Sequence, residues 1–103
     1  MDRTEISQFL AGVELFRGLE GEELRELAGH ILENRCSAGE VIFSENSPRE
    51  DIFVVYEGEV ELFKKNPYGI DVRLALFGRG DFIGEGIWEA GSLHTTSART
   101  VKA

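Results

Sequence analysis

Gly80-Asp81-Phe82-Ile83-Gly84-Glu85-Gly86-Ile87-Trp88-Glu89, residues 80–89, is the stretch that decides how this chain is read. Gly78-Arg79-Gly80-Asp81 breaks the preceding pattern, Phe82-Ile83 resumes it as a strand, and Gly84 to Glu89 combines glycines, a carboxylate and a short helix-like piece. Glycine at a strand-to-helix turn lets backbone N–H groups point outward, and such a nest holds an anion such as phosphate. Taken by itself the pattern is common. Gly-x-Gly occurs in many turns, and a solvated turn residue is the plainer reading of Glu85.

On either side of this stretch the chain reads as short strands. Thr95 to Val101, rich in Thr, Ser and Val, is a final strand. Upstream, residues 60–65 and 70–77 alternate and flank Asn66-Pro67-Tyr68-Gly69, which fits a type I turn with Asn at i, Pro fixing φ at i+1 and Gly at i+3. That is a hairpin. Ile52 to Tyr56 is a β-branched and aromatic run without polar alternation, which predicts burial on both faces or at a barrel seam, and Gly58 marks a turn or bulge. Ala38 to Phe43 is the first strand.

The first third differs. Ile6, Phe9, Leu10 and Val13 recur at helical spacing behind Thr4 as N-cap, predicting a helix over 5–14. Leu24, Leu27, Ala28, Ile31 and Leu32 form a second apolar stripe, with Glu22 and Glu23 at its start and His30 and Arg35 towards its end, predicting a helix over 21–34. Leu15 and Phe16, closed by Gly18, read as a loop pinned on the core. The order helices-then-strands predicts a mainly β, antiparallel fold with flanking helices in one domain, 1–103, with N-terminal helices over 5–34 and a β-roll over 38–103.

Of 103 residues, 19 are acidic and 11 basic, a net charge of −8, and 42% are hydrophobic. A core can be filled, and disorder is excluded as the overall state. The acid excess repels phosphate backbones and anionic lipid, so neither nucleic acid nor a membrane surface is an expected partner. No apolar run reaches the ~20 residues that span a bilayer, and Met-Asp-Arg-Thr-Glu is no secretion signal, which predicts a cytoplasmic protein. Cys36 is the single cysteine and reads as a small buried residue rather than a nucleophile or metal ligand. No catalytic triad, paired-carboxylate or metal motif can be read, so neither an enzyme nor a cofactor is expected. The glutamates at 20, 22, 23 and 26 read as a solvated helix face, Glu57, Glu59 and Glu61 as facing water, and Trp88 as a core or interface residue.

Several segments together resemble the cyclic nucleotide-binding domain family. They are Phe9-Leu10 through Leu15-Phe16-Arg17-Gly18-Leu19, Glu23-Leu24 with Leu27-Ala28, Gly39-Glu40-Val41-Ile42, Ile52 through Val60, and Gly80-Asp81-Phe82-Ile83-Gly84-Glu85, in the family's order and spacing. The last run is the most specific and resembles the start of the family's phosphate-binding cassette. Where the family has a glycine after its first strand this chain has Asn46, the commonest substitute in a left-handed backbone. The resemblance implies an antiparallel jelly roll preceded by helices, with the family's last two strands and lid helices lying beyond Ala103. Unpaired strand edges would then favour a homodimer or strand exchange.

The resemblance also implies a ligand, cAMP or cGMP. Gly84, Gly86 and Ile87 resemble the amide-bearing cassette turn, and Glu85 the acceptor of the ribose 2′-hydroxyl. The family's phosphate-binding arginine is missing: ungapped, Leu93-His94-Thr95-Thr96 occupies its place. Imidazole has at most two donors and lacks the planar fork that grips phosphate oxygens. Losing such a charge-assisted bond removes roughly 1.5–3 kcal/mol. His94 protonated beside an anion, helped by the Thr95 hydroxyl, is one reading; an exposed loop residue on an altered pocket is the other. A longer cassette loop would instead make Arg99-Thr100 the arginine pair. The functional expectation is a regulatory module that binds a cyclic nucleotide or related anion and signals to an attached effector domain. The alternative is a degenerate domain kept for protein–protein interaction.

Overall fold

The computed structural model describes residues 2–48, 51–83 and 93–102. It divides the chain into two compact units, Met1–Arg35 and Cys36–Ala103, the first helical and the second built of strands.

In the first unit, α1 spans Arg3–Ala11 and α2 spans Gly21–Ala28, with a single 3-10 turn at Glu14–Phe16 between them. The N-cap of α1 is Asp2, not Thr4 as expected from the sequence: its carboxylate accepts the Glu5 N–H at 2.8 Å. A carboxylate caps the positive helix end with charge as well as a hydrogen bond, which threonine cannot. At the start of α2, Glu23 reaches back to accept the Glu20 N–H at 3.0 Å. The predicted 21–34 helix is too long. Gly29 N–H is shared between the Arg25 and Glu26 carbonyls, and those of His30 and Ile31 turn to carbonyls three residues back, so the helix tightens and unwinds at the residue with the weakest non-proline helix propensity. Leu32, assigned to the apolar stripe, is consequently exposed. The unit's core is Leu10, Leu24 and Ala28, ringed by Ile6, Phe9, Phe16, Leu27 and Ile31, so Phe16 is pinned as its sequence context implied.

The second unit holds β1 (Val41–Phe43), β2 (Phe53–Val54), β3 (Glu59–Lys65), β4 (Asp71–Phe77), β5 (Phe82–Ile83) and β6 (Ser97–Lys102). They form two antiparallel sheets, one in the order β1-β6-β3-β4 and one pairing β2 with β5. Phe43, Val55, Val60, Ile83 and Ala98 make the core, with Ile42, Phe53, Leu62 and Phe77 packed on it. The β3–β4 hairpin forms at 66–69 as read: Gly69 N–H donates to the Asn66 carbonyl at 3.0 Å, while Asn66 Oδ1 accepts from Tyr68 and Ile70 N–H. Gly69 takes φ +78°, the left-handed geometry for which glycine carries no Cβ penalty.

Three strand readings are corrected. The first strand begins at Val41 rather than Ala38, because residues 37–40 form a turn in which Glu40 N–H donates to the Ser37 carbonyl. Over 52–56 only Phe53 and Val54 pair, Val55 is buried and Tyr56 is exposed beneath the Arg79 guanidinium. Glu61 does not face water: β3 is an interior strand, and its carboxylate is buried between Arg73 and Arg99. Cys36 is half-buried rather than buried. Burial, joined by a hydrogen bond to the Glu40 carboxylate and its charge, pushes the thiol above its ordinary pKa, which disfavours a reactive thiolate.

Candidate functional site

The segment that leads into the glycine-rich stretch is tied down residue by residue. Gly78 N–H donates to the Asp81 carboxylate at 2.8 Å, Val55 N–H to the Asp81 carbonyl at 2.9 Å and Gly80 N–H to the Val55 carbonyl at 2.8 Å. Asp81 therefore folds the 78–81 turn and hands Phe82 and Ile83 to β2 in register, Phe53 opposite Ile83 and Val54 opposite Phe82. Gly84, Glu85, Gly86 and Ile87 lie outside the described residues, as does Trp88.

On the far side, Leu93 resumes the chain in an antiparallel bridge with Pro48. Next to it, Asn46 N–H donates to the His94 carbonyl and His94 N–H to the Ser47 carbonyl, both at 2.8 Å. Asn46 takes φ +69°, so the left-handed turn anticipated at this residue is present. Ser97 Oγ accepts the Glu45 N–H at 2.8 Å, a further tie between the 44–48 turn and the approach to β6.

His94 is not an exposed loop residue. It is buried, and its ring lies on Phe43 with centroids 3.7 Å apart and planes 11° from parallel; Phe43 in turn stacks on Phe53. Thr95 is exposed, and its carbonyl accepts from Lys64 Nζ at 3.4 Å. Lys64 also pairs with Glu45 at 3.3 Å.

Arg99 and Thr100, the alternative arginine pair, lie on β6. Strand alternation places Arg99 on the face opposite core residue Ala98. There it bonds the Glu61 carboxylate, pairs with Asp71 at 2.9 Å and sits 4.1 Å above the Phe63 ring. Arg73 reaches Glu61 at 2.6 Å and Lys65 reaches Asp71 at 3.0 Å, completing a ladder of five charges across β6, β3 and β4. Hydrogen bonds from Arg73 and then Arg99 hold the Glu61 carboxyl below its ordinary pKa, those from Lys65 and Arg99 do the same for Asp71, and Glu61 leads in raising that of Arg99. Thr100 is buried: its hydroxyl donates to the Ser37 carbonyl and accepts the Glu40 N–H at 3.0 Å. Both residues thus build the sheet and the turn before β1.

Reading the sequence missed this ladder, since nothing in the spacing of 61, 71, 73 and 99 pairs them before the strand register is known. It also missed the Phe43–His94 stack. Among the described residues no group of His, Cys, Asp or Glu could hold a metal ion, and no helix is long and apolar enough to cross a membrane.

Residues 33–103 match the cyclic nucleotide-binding domain. The chain belongs to that family. Its fold accordingly is the mainly β jelly roll of cyclic nucleotide-binding domains, as the resemblance implied. The relatives are regulatory proteins. The chain is 32% identical over 83 residues to a cAMP-dependent protein kinase regulatory subunit of Pyricularia oryzae, covering 81% of this chain and 20% of that one. It is 26% identical over 97 residues to a CRP-like cAMP-activated global transcriptional regulator of Mycobacterium tuberculosis, covering 93% of this chain and 43% of the regulator. Among solved structures, the regulatory subunit of a cAMP-independent protein kinase A from Trypanosoma cruzi, bound to guanosine, superposes with a TM-score of 0.85 at 27% identity, covering 97% of this chain and 36% of that one. This cyclic nucleotide-binding domain thus spans less than half the length of each.

Proposed function

We propose that the chain is the ligand-sensing domain of a larger regulatory protein, that it binds a ribose-bearing ligand of the nucleotide or nucleoside class, and that it catalyses no reaction. The observation that carries this is the family match over 33–103, which contains the Gly80-Asp81-Phe82-Ile83-Gly84-Glu85 run. In this reading Glu85 accepts a hydrogen bond from the ribose 2′-hydroxyl, the Gly84, Gly86 and Ile87 segment supplies backbone amides, and His94 and Thr95 stand at the family's arginine position. A carboxylate is acceptor-only when ionised and suits a hydroxyl donor. Binding shifts the equilibrium of whatever element the domain is attached to, by the difference in affinity between the two states.

Calorimetric titration with cAMP, cGMP and guanosine, with folding established by circular dichroism, tests this. Saturable binding of one of them, weakened at least tenfold by Glu85→Ala, is the expected result, and a folded protein silent to all three contradicts it. The replacement of arginine by a buried, stacked histidine favours one competing reading, a domain whose pocket has lapsed and which serves protein–protein contact. Silence in that titration is what the competing reading predicts.

A further inference from the structure

We infer, independently of any ligand, that the free edge of β4 is a self-association surface, on which a second copy of this chain pairs strand to strand, antiparallel and about a two-fold axis. β4 ends the sheet order β1-β6-β3-β4, so on its side away from β3 the backbone N–H and C=O groups meet no strand among the described residues. Such an edge selects its own kind of partner, because a row of alternating donors and acceptors is matched by another extended backbone. The other strands that end a described sheet are short, three residues in β1 and two each in β2 and β5, against seven in β4.

Strand edges that stay single are guarded by lysine, proline, an unpaired charge or a bulge. β4, Asp71-Val72-Arg73-Leu74-Ala75-Leu76-Phe77, has the bulge alone. Both its charges are drawn back over the sheet, Asp71 to Lys65 and Arg99, and Arg73 to Glu61. Val72, Leu74 and Leu76, at every second position, are 43%, 55% and 46% exposed. Leu74 is the extra residue of the bulge: Leu62 faces Ala75 and Phe63 faces Arg73, which leaves Leu74 opposite no residue of β3. A two-fold axis at Leu74 sets Val72 of one copy beside Leu76 of the other, and it keeps Arg73 off Arg73 and Asp71 off Asp71. The strand carries one acid and one base, so the seam is locally neutral although each chain carries −8. Pairing of this kind uses up both long edges and closes at a dimer. The bulge increases local twist, which limits the paired length and makes the dimer reversible rather than permanent.

Sedimentation velocity of the intact chain over a hundredfold range of concentration tests this, with amide hydrogen exchange measured at both ends of the range. Expected are a monomer that becomes a dimer as concentration rises, slowed exchange in peptides covering residues 71–77 of the dimer, and tighter association as salt screens the repulsion between two chains of charge −8. Leu74→Lys, which sets two ammonium groups across the axis, is expected to weaken dimerisation at least tenfold. Leu32→Lys, which removes an exposed leucine from the helical unit, should leave it unchanged. A monomer at every concentration overturns the inference and leaves the edge to a strand of another protein. Dimerisation that salt dissolves, that gives residues 71–77 no protection, or that Leu32→Lys abolishes while Leu74→Lys does not, overturns it as well. If Leu74→Lys loses its fold, the concentration dependence of exchange in the unaltered chain still decides.

Discussion

Thr100→Val separates a structural role from a ligand-binding one. The substitution keeps the shape and β-branching of the side chain, so no cavity forms, and the backbone bonds of residue 100 to Gly39 and Glu40 are untouched. It removes the hydroxyl that donates to the Ser37 carbonyl and accepts the Glu40 N–H. Each lost bond is worth about 0.5–1.5 kcal/mol, and more where the abandoned partner stays dry. Ser37 and Glu40 are both exposed, so water recovers part of the loss and the expected destabilisation is about 1–2 kcal/mol. For a domain of this size that lowers the melting temperature on the order of 5–10 °C. Urea unfolding compared with unaltered protein reads this directly, and Thr100→Ser, which keeps the hydroxyl, should recover most of it. A Thr100→Val protein as stable as the original, or one whose stability is intact but whose ligand affinity has collapsed, would refute the assignment of Thr100 to the 37–40 turn.

Two further outcomes follow from the same geometry. Asn46→Ala should cost roughly 1–2 kcal/mol in chemical unfolding, because alanine at φ +69° brings its Cβ against the following carbonyl, whereas Asn46→Gly should be close to neutral; equal loss in both would point to the asparagine side chain instead. The Glu61 and Asp71 carboxyls have their folded pKa values lowered by their basic partners, so they contribute stability that is fully present above the unfolded values near ~4 and is lost as pH falls through the lowered folded values. Unfolding free energy measured from about pH 7 downward should therefore fall through the acid range, and less steeply in Arg99→Gln; identical slopes would show that the ladder does not couple folding to protonation.

The fold was readable because its elements are local. Asn66-Pro67-Tyr68-Gly69 specifies its own hairpin, and the apolar stripes at 6–10 and 24–28 need only helical period to be seen. Helix ends were harder, since Asp2 outcompetes Thr4 as a cap and Gly29 stops a stripe that continues in sequence to Leu32. The candidate site was legible only in outline. The glycine-rich run and the missing arginine stand in the sequence, but whether His94 faces solvent or the core depends on Phe43, fifty-one positions away. Glu61 misled for the same reason: alternation gives a side chain's face, while the partners on that face come from β4 and β6.

In the proposed function this domain binds its ligand at the segment joining β5 to β6. Amide hydrogen exchange followed by mass spectrometry, with and without saturating guanosine, tests it most directly. Slowed exchange is expected to concentrate in peptides covering residues 84–95, with the β3–β4 hairpin at 66–69 unchanged. Full occupancy by calorimetry with no protection across 84–95 would contradict it.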